Sequence, residues 1–177
     1  MNSISVKKRG ITGMGTDVIV NAANRNLAAG GGVCGAIFRD AGYKKLQKAC
    51  DKIGHCDTGS AVITRGYNLK AKYVIHAVGP RWSGGDNNEP EQLYSAYYSS
   101  LELALKNKCH SIAFPLISSG IFGYPKEKAW YQAIVACKDF LDNCKDGDIQ
   151  VIFCVISDNA LSLGQKTLSE IAPEYMV

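Results

Sequence analysis

The sequence predicts a layered α/β domain, and three observations carry that expectation. Short β-rich apolar runs alternate with helix-period segments along the whole chain. The stretch Ile149 to Ile156, apolar apart from Gln150, reads as a central strand buried on both faces. Glycine-rich stretches fall where a β-run hands over to a helix, the usual place for ligands in such sheets. At 177 residues, with no linker, repeat or low-complexity tract, the chain reads as one domain, residues 1–177.

The elements follow in order. Ser3 to Lys8 and Asp17 to Ala22 read as strands. Val33 to Ala41 and Tyr43 to Cys50 read as helices. Ala61 to Thr64 and Tyr73 to Val78 are short β-rich runs. The polar stretch from Ser83 to Pro90 reads as a surface loop. Glu91 to Leu105 is expected to be helical, with Leu93, Tyr97, Leu101, Ala104 and Leu105 on one face. Ser111 to Ile117 reads as a strand. Lys126 to Leu141 carries a strong apolar stripe through Ala129, Trp130, Ala133, Ile134, Cys137, Phe140 and Leu141, and Pro125 suits its first turn. A last helix from Asp158 to Ile171 stops before Pro173.

Composition narrows the function. Apolar residues make up 46% and charged residues 20%, an ordinary globular balance. A net charge of +4 without a basic stripe argues against a nucleic-acid binder, yet does not repel an anionic ligand. No apolar run approaches the roughly 20 residues of a membrane span. The start, MNSISVKKRG, lacks the apolar core of a signal peptide, so a cytoplasmic location is expected. The seven cysteines are odd in number and form no Cys-x-x-Cys, and most read as reduced, buried, small hydrophobes. Cys50, His55 and Cys56 fit no standard zinc spacing, and a fourth ligand is not evident, so no metal is expected.

Two loops concentrate the chemistry. The first, Ala29-Gly30-Gly31-Gly32-Val33-Cys34-Gly35, opens a helix. Glycines let backbone amides approach an anion, and the helix N-terminus adds positive potential. Gly30, Gly32 and Gly35 fit G-x-G-x-x-G, but the eight residues Ala23 to Gly30 lead from the strand to the motif's first glycine, which argues against a dinucleotide fingerprint. The second, Ser118-Ser119-Gly120-Ile121-Phe122-Gly123-Tyr124-Pro125, again joins a strand to a helix. Loops of this kind on neighbouring strands could grip a pyrophosphate from two sides. Asn21 and Asn24 add amides able to donate to and accept from a sugar diol. Asn21 is expected to be mostly structural and Asn24 to face ligand.

Together these residues resemble the macrodomain family, in its MacroD-type branch. The matching segments are Asp17-Val-Ile-Val-Asn-Ala-Ala-Asn24, Gly30 to Phe38, Thr58 to Thr64, Tyr73-Val-Ile-His-Ala-Val-Gly-Pro80 and Ile117 to Pro125, in family order. The resemblance implies a three-layer α/β/α sandwich around a mixed sheet. It implies ADP-ribose as ligand, with removal of ADP-ribose from proteins or deacetylation of O-acetyl-ADP-ribose as the activity, and neither cofactor nor metal. By the same resemblance Asn24 contacts the distal ribose. Gly30, Gly31, Gly32, Val33 and Cys34 wrap the distal ribose and diphosphate. Ser118, Ser119, Gly120, Ile121, Phe122, Gly123 and Tyr124 supply the phosphate loop, with Phe122 bordering the ribose. Asn24 and Cys34 are the residues implied for catalysis.

Three positions depart from that pattern. Cys34 stands where MacroD-type hydrolases typically carry aspartate, and a free thiol is a poor substitute as a base. Gly10 replaces the aspartate that addresses adenine, leaving the backbone at Ile11 to contribute. Ile156 replaces an aromatic over adenine and can cover a base but stacks less well. Asp40, six residues past Cys34, is expected to lie too far along the helix to replace the missing carboxylate. A hydrolase, a non-catalytic ADP-ribose reader and another nucleotide or nucleic-acid binder therefore remain as readings, the last disfavoured by charge.

Overall fold

The computed structural model describes residues 1–177. Six strands form one sheet: β1 (Ser3–Lys8), β2 (Val18–Ala22), β3 (Ala61–Arg65), β4 (Tyr73–Ala77), β5 (Ser111–Phe114) and β6 (Gln150–Val155). Five helices accompany them: α1 (Gly32–Ala41), α2 (Tyr43–Ile53), α3 (Glu89–Lys106), α4 (Lys126–Asp142) and α5 (Asp158–Ile171). Short 3-10 turns occupy Ile11–Gly13 and Pro173–Tyr175. The strand order is β1-β6-β5-β2-β4-β3. All neighbours pair parallel except β3, which runs antiparallel to β4 at the edge. The sheet is thus mixed, and the expected α/β sandwich is what forms.

Side-chain alternation along the strands builds the layers. Val18 and Val20 of β2, Ile112 and Phe114 of β5, and Val151, Phe153 and Val155 of β6 face one core, with residues of α3, α4 and α5. Ile19, Ala113, Ile152 and Cys154 face the other, with residues of α1 and α2. Helices cover both faces because βαβ crossovers put them there. No helix is long and apolar enough to cross a membrane.

The first core centres on aromatic rings. Tyr97 packs on Phe114, Phe114 on Phe153, and Phe153 on Trp130, with centroids 5.0, 5.6 and 5.3 Å apart. Trp130 is fully buried, and α5 passes over it at Gly164. A Cβ at position 164 would stand 2.5 Å from Trp130 Cζ2, so glycine sets how closely the two helices approach.

The expected elements form, with boundaries that shift by a few residues at several ends. β5 ends at Phe114 rather than Ile117, because Pro115 lacks the N–H that a ladder needs. β6 spans Gln150–Val155, so Ile149 and Ile156 lie just beyond it. α2 runs on from Cys50 to Ile53 and closes at Gly54, whose φ is +86°. α3 begins at Glu89, two residues early, with Pro90 in its first turn.

That early start has a cause. Glu89 is 1% exposed, and its carboxylate accepts from the N–H groups of Ser83 (2.8 Å), Gly85 (2.9 Å) and Asn87 (2.6 Å). The stretch 83–88 is thus wound around a buried anion. Burial opposes the charge, but these N–H groups and Glu89's own outweigh it and hold the carboxyl at about 2.

Two outcomes follow from this packing. Gly164→Ala should destabilise the fold by about 1–3 kcal/mol in denaturant unfolding, the cost of overpacking a filled core. Because the folded Glu89 carboxyl sits below its ordinary value of 4.5, its stabilisation is complete above that pH. It is lost as pH falls from 4.5 through about 2. Melting temperature against pH should therefore be flatter over that window in Glu89→Gln than in the parent.

Candidate functional site

The strands β1, β6, β5 and β2 are parallel neighbours, so their carboxyl ends share one edge of the sheet. Their exits carry, in that order, the turn at Ile11, residue Ile156, the loop 115–125 and the loop 23–31. Three strand spacings make this row about 14 Å long.

The first loop is held from beneath. Asn24 Oδ1 accepts from Ala28 N–H (3.0 Å) and its Nδ2 donates to Ala28 O (2.8 Å). Gln47 of α2 accepts from Ala29 N–H (3.0 Å) and donates to Leu27 O (3.1 Å). Gly35 lets the loop return over α1, since a Cβ there would lie 2.5 Å from Gly30 O. Gly32 has φ +57°, a left-handed conformation that favours glycine. With the loop so placed, the N–H groups of Gly30, Gly31, Gly32, Val33 and Cys34 donate to nothing within the protein.

The second loop is pinned by Tyr97. Its hydroxyl donates to Pro115 O (3.2 Å) and accepts from Ile117 N–H (2.8 Å), so the chain leaves β5 along one path. Ser118 follows with φ +68° and is 6% exposed, its hydroxyl unpaired within the protein. Tyr124 N–H returns to Ser118 O (2.9 Å), and Gly123 N–H to Gly120 O (2.9 Å), closing a tight bend. Ser119 Oγ caps Leu116 O at 2.7 Å. Gly79 admits the bend, because a Cβ there would overlap Ser118 Oγ. Trp82 N–H holds Phe122 O (2.8 Å), Trp82 packs on Tyr124, and the Arg81 guanidinium lies 4.7 Å from the Phe122 ring centroid. Gly120, Ile121 and Phe122 keep their N–H groups free of protein partners.

Eight unpaired backbone N–H groups therefore line two loops that leave adjacent parallel strands, and the loops abut the N-termini of α1 and α4. Such an array attracts an anion with at least two charged centres. Val33, Ile121 and Ile156 are exposed apolar side chains on the same edge, Ile156 at 84%. Ile11 is buried, so only its backbone can address a ligand.

Beneath Asn24 and Cys34 runs a buried polar line. Asn21 of β2 and His76 of β4 are register partners, and both are 0% exposed. Thr64 Oγ1 donates to Arg65 O (3.1 Å), so it accepts from His76 Nε2–H (3.0 Å). His76 Nδ1 then accepts from Asn21 Nδ2 (3.2 Å), which also reaches Cys34 Sγ (3.7 Å). Cys34 Sγ donates to Ala28 O (3.7 Å), the carbonyl that Asn24 also holds. Burial lowers His76 from 6.5 to about 4 and keeps it neutral near pH 7.

The structure brings the residues expected at the site to one edge of the sheet, and Asn24 has a further role there. Asn24 spends one donor and one lone pair on Ala28, and its remaining donor and lone pair are what a ribose could use. Asp40 turns away to Arg39, at 3.1 Å. The Arg39 guanidinium and the Thr12 hydroxyl hold its carboxyl below the usual range. Cys50, His55 and Cys56 separate: Cys50 is buried beside His76, and His55 pairs with Asp57. No group of three or more His, Cys, Asp or Glu side chains converges as metal ligands. Sequence reasoning passed over Tyr97, Gly79 and His76 as site supports; only the Gly79-Pro80 step and the lone His in an apolar strand could have pointed to the last two.

Comparison with known proteins agrees with this geometry. The Macro domain family model matches residues 20–133. The chain is similar to an O-acetyl-ADP-ribose deacetylase of Citrobacter koseri, 51% identical over 78% of this chain and 80% of that protein. It is also similar to the ADP-ribose glycohydrolase MACROD2 of Xenopus laevis, 45% identical over 97% of this chain and 41% of that longer protein. A macrodomain of Oceanobacillus iheyensis with ADP superposes with a TM-score of 0.89, at 35% identity, over 96% of this chain and 91% of that one.

Tyr97→Phe tests the pin on the second loop. It leaves Ile117 N–H and Pro115 O unpaired in the core and should cost about 1–3 kcal/mol in unfolding free energy. Hydrogen exchange should quicken at Ile117 and through the bend to Tyr124, with little change in α1.

Proposed function

The chain belongs to the Macro domain family, and from that premise we propose that it binds ADP-ribose along the edge from Ile156 to Asn24 and cleaves the bond that the distal ribose makes to an acyl group. The substrates are a mono-ADP-ribosyl ester on a protein, O-acetyl-ADP-ribose, or both. The observation that carries the reading is the set of eight N–H groups without protein partners on the exits of two adjacent parallel strands. A diphosphate between them is bridged from both sides, and the helix N-termini of α1 and α4 add to its stabilisation. Ile156 and the backbone at Ile11 cover the adenine end.

The chemistry gathers at the other end. Asn24 fixes the ribose through the donor and lone pair that Ala28 leaves free. Phe122, held by Arg81 and Trp82, borders the sugar. Orientation by these groups places the acyl carbon near a water and near the substrate's own phosphate, so positioning supplies much of the rate. Cys34 occupies the water side, its sulfur between the Asn21 amide and Ala28 O. A thiol is a poor stand-in for a carboxylate base at that water, and the phosphate carries more of the proton transfer. Seven unpaired cysteines support a reducing, cytoplasmic setting.

Two experiments check the proposal. Calorimetric titration should show ADP-ribose binding by the parent and none by Gly32→Val or Gly120→Val, each of which puts a side chain where the diphosphate lies. Normal binding by both variants would reject the loop assignment. Cys34→Asp, folded as the parent, should raise single-turnover hydrolysis of an aspartyl- or glutamyl-ADP-ribosylated protein with little change in affinity, because aspartate is ionised at neutral pH. Slower turnover than the parent would reverse that view of the thiol, and binding with no release of ADP-ribose by either protein would favour the reader.

A further inference from the structure

The polar line from Thr64 to Ala28 has no need to exist if the second core only required filling. His76 and Asn21 are wholly buried among Ile19, Val74, Phe38 and Cys50, where apolar side chains of similar size would avoid the cost of burying polar groups. The line also has a single direction. Thr64 gives its proton to Arg65 O, so the imidazole carries its proton on Nε2 and presents a bare Nδ1 to β2. That lone pair fixes which way the Asn21 amide points: Nδ2 toward His76 and the sulfur, Oδ1 away. Donation by Asn21 into Sγ leaves the thiol proton for Ala28 O, at the point where Asn24 also binds.

We propose that His76, acting through Asn21, is a positioning residue for Cys34 and for the Ala28 carbonyl that seats Asn24. It touches no ligand. Its neutral Nδ1 sets the Asn21 amide, and the amide sets the sulfur. The consequence for turnover rests on the reading of the site as an ADP-ribosyl ester hydrolase, whereas the consequence for the sulfur does not.

Four variants separate this role from filling. His76→Phe keeps a ring and loses both nitrogens. His76→Asn restores an acceptor near Nδ1, and His76→Gln restores a donor near Nε2 only. Thr64→Val, at the far end of the line, frees the imidazole to move its proton to Nδ1, which turns the Asn21 amide over. The first readout is the rate at which iodoacetamide alkylates Cys34 in the folded protein, followed peptide by peptide. The Asn21 amide holds the sulfur in one place, and a sulfur no longer held meets the reagent less often in a productive orientation, so loss of the contact slows the reaction. The expected result is alkylation slowed about fivefold or more in His76→Phe and His76→Gln, about threefold or more in Thr64→Val, and near the parent rate in His76→Asn. In single-turnover hydrolysis the same three variants should lose rate while the Kd for ADP-ribose stays within about threefold, and His76→Asn should recover it. Parent-like alkylation in folded His76→Phe and Thr64→Val overturns the proposal, as does equal loss in His76→Asn and His76→Phe. Should His76 variants not fold, Thr64→Val decides alone: slowed alkylation supports the line and an unchanged rate rejects it. A parent that binds ADP-ribose but does not hydrolyse the ester defeats the proposed activity, and the alkylation comparison still rules on His76.

Discussion

The parallel pairing of β2 with β5 is the constraint on which the rest depends. Val18 pairs with Ile112 and Ile19 with Ala113, and both strands point the same way. Their exits therefore open at one edge, one strand spacing apart, and each exit leads into the N-terminus of a helix. An antiparallel pair would put the two loops at opposite edges of the sheet, about 15 Å or more apart for strands of this length, and no single diphosphate could meet both. The glycines have their use only because this pairing brings them together.

Supports beneath the loops differ in kind. The second loop hangs on an aromatic core, through Tyr97 and its neighbours Phe114 and Phe153. The first rests on amides: Asn24 on Ala28 and Gln47 on Leu27 and Ala29. Apolar packing around Tyr97 makes the second loop rigid, while amides orient the first. That division fits what each must hold. A phosphate is served by any convergent N–H groups, but a sugar diol needs donors and acceptors in a set order. The buried Asn21–His76 pair extends the directional side into the sheet itself.

Much of this was legible in the sequence, and the reasons are particular. Strand and helix periods were clean, as in the stripe from Ala129 to Leu141, so element types agreed throughout. Boundaries moved where one residue overrode the pattern: Pro115 cut β5 short, and Glu89 drew α3 two residues earlier by collecting the N–H groups of the preceding turn. That wrapping of Ser83 to Asn87 had no signal, because a glutamate beside a proline reads as an ordinary first-turn acid. The two loops were legible from glycine and strand-end position. Their supports were not, since Tyr97 lies 21 residues before Ser118 and His76 lies 42 after Cys34, and only sheet register brings them together. Asn21 is buried in the sheet, in keeping with a structural role, and touches the sulfur of Cys34; Asn24 also braces its own loop.

The central claim is that two backbone nests on adjacent strand exits bracket one diphosphate. Amide NMR during titration with ADP-ribose tests it most directly. The account predicts large, saturating shifts at the N–H groups of Gly30 to Cys34 and of Gly120 to Phe122, with a common Kd, and at most small changes on β3, α2 and the C-terminal half of α4. Shifts confined to one loop, or two loops titrating with different midpoints, would contradict it.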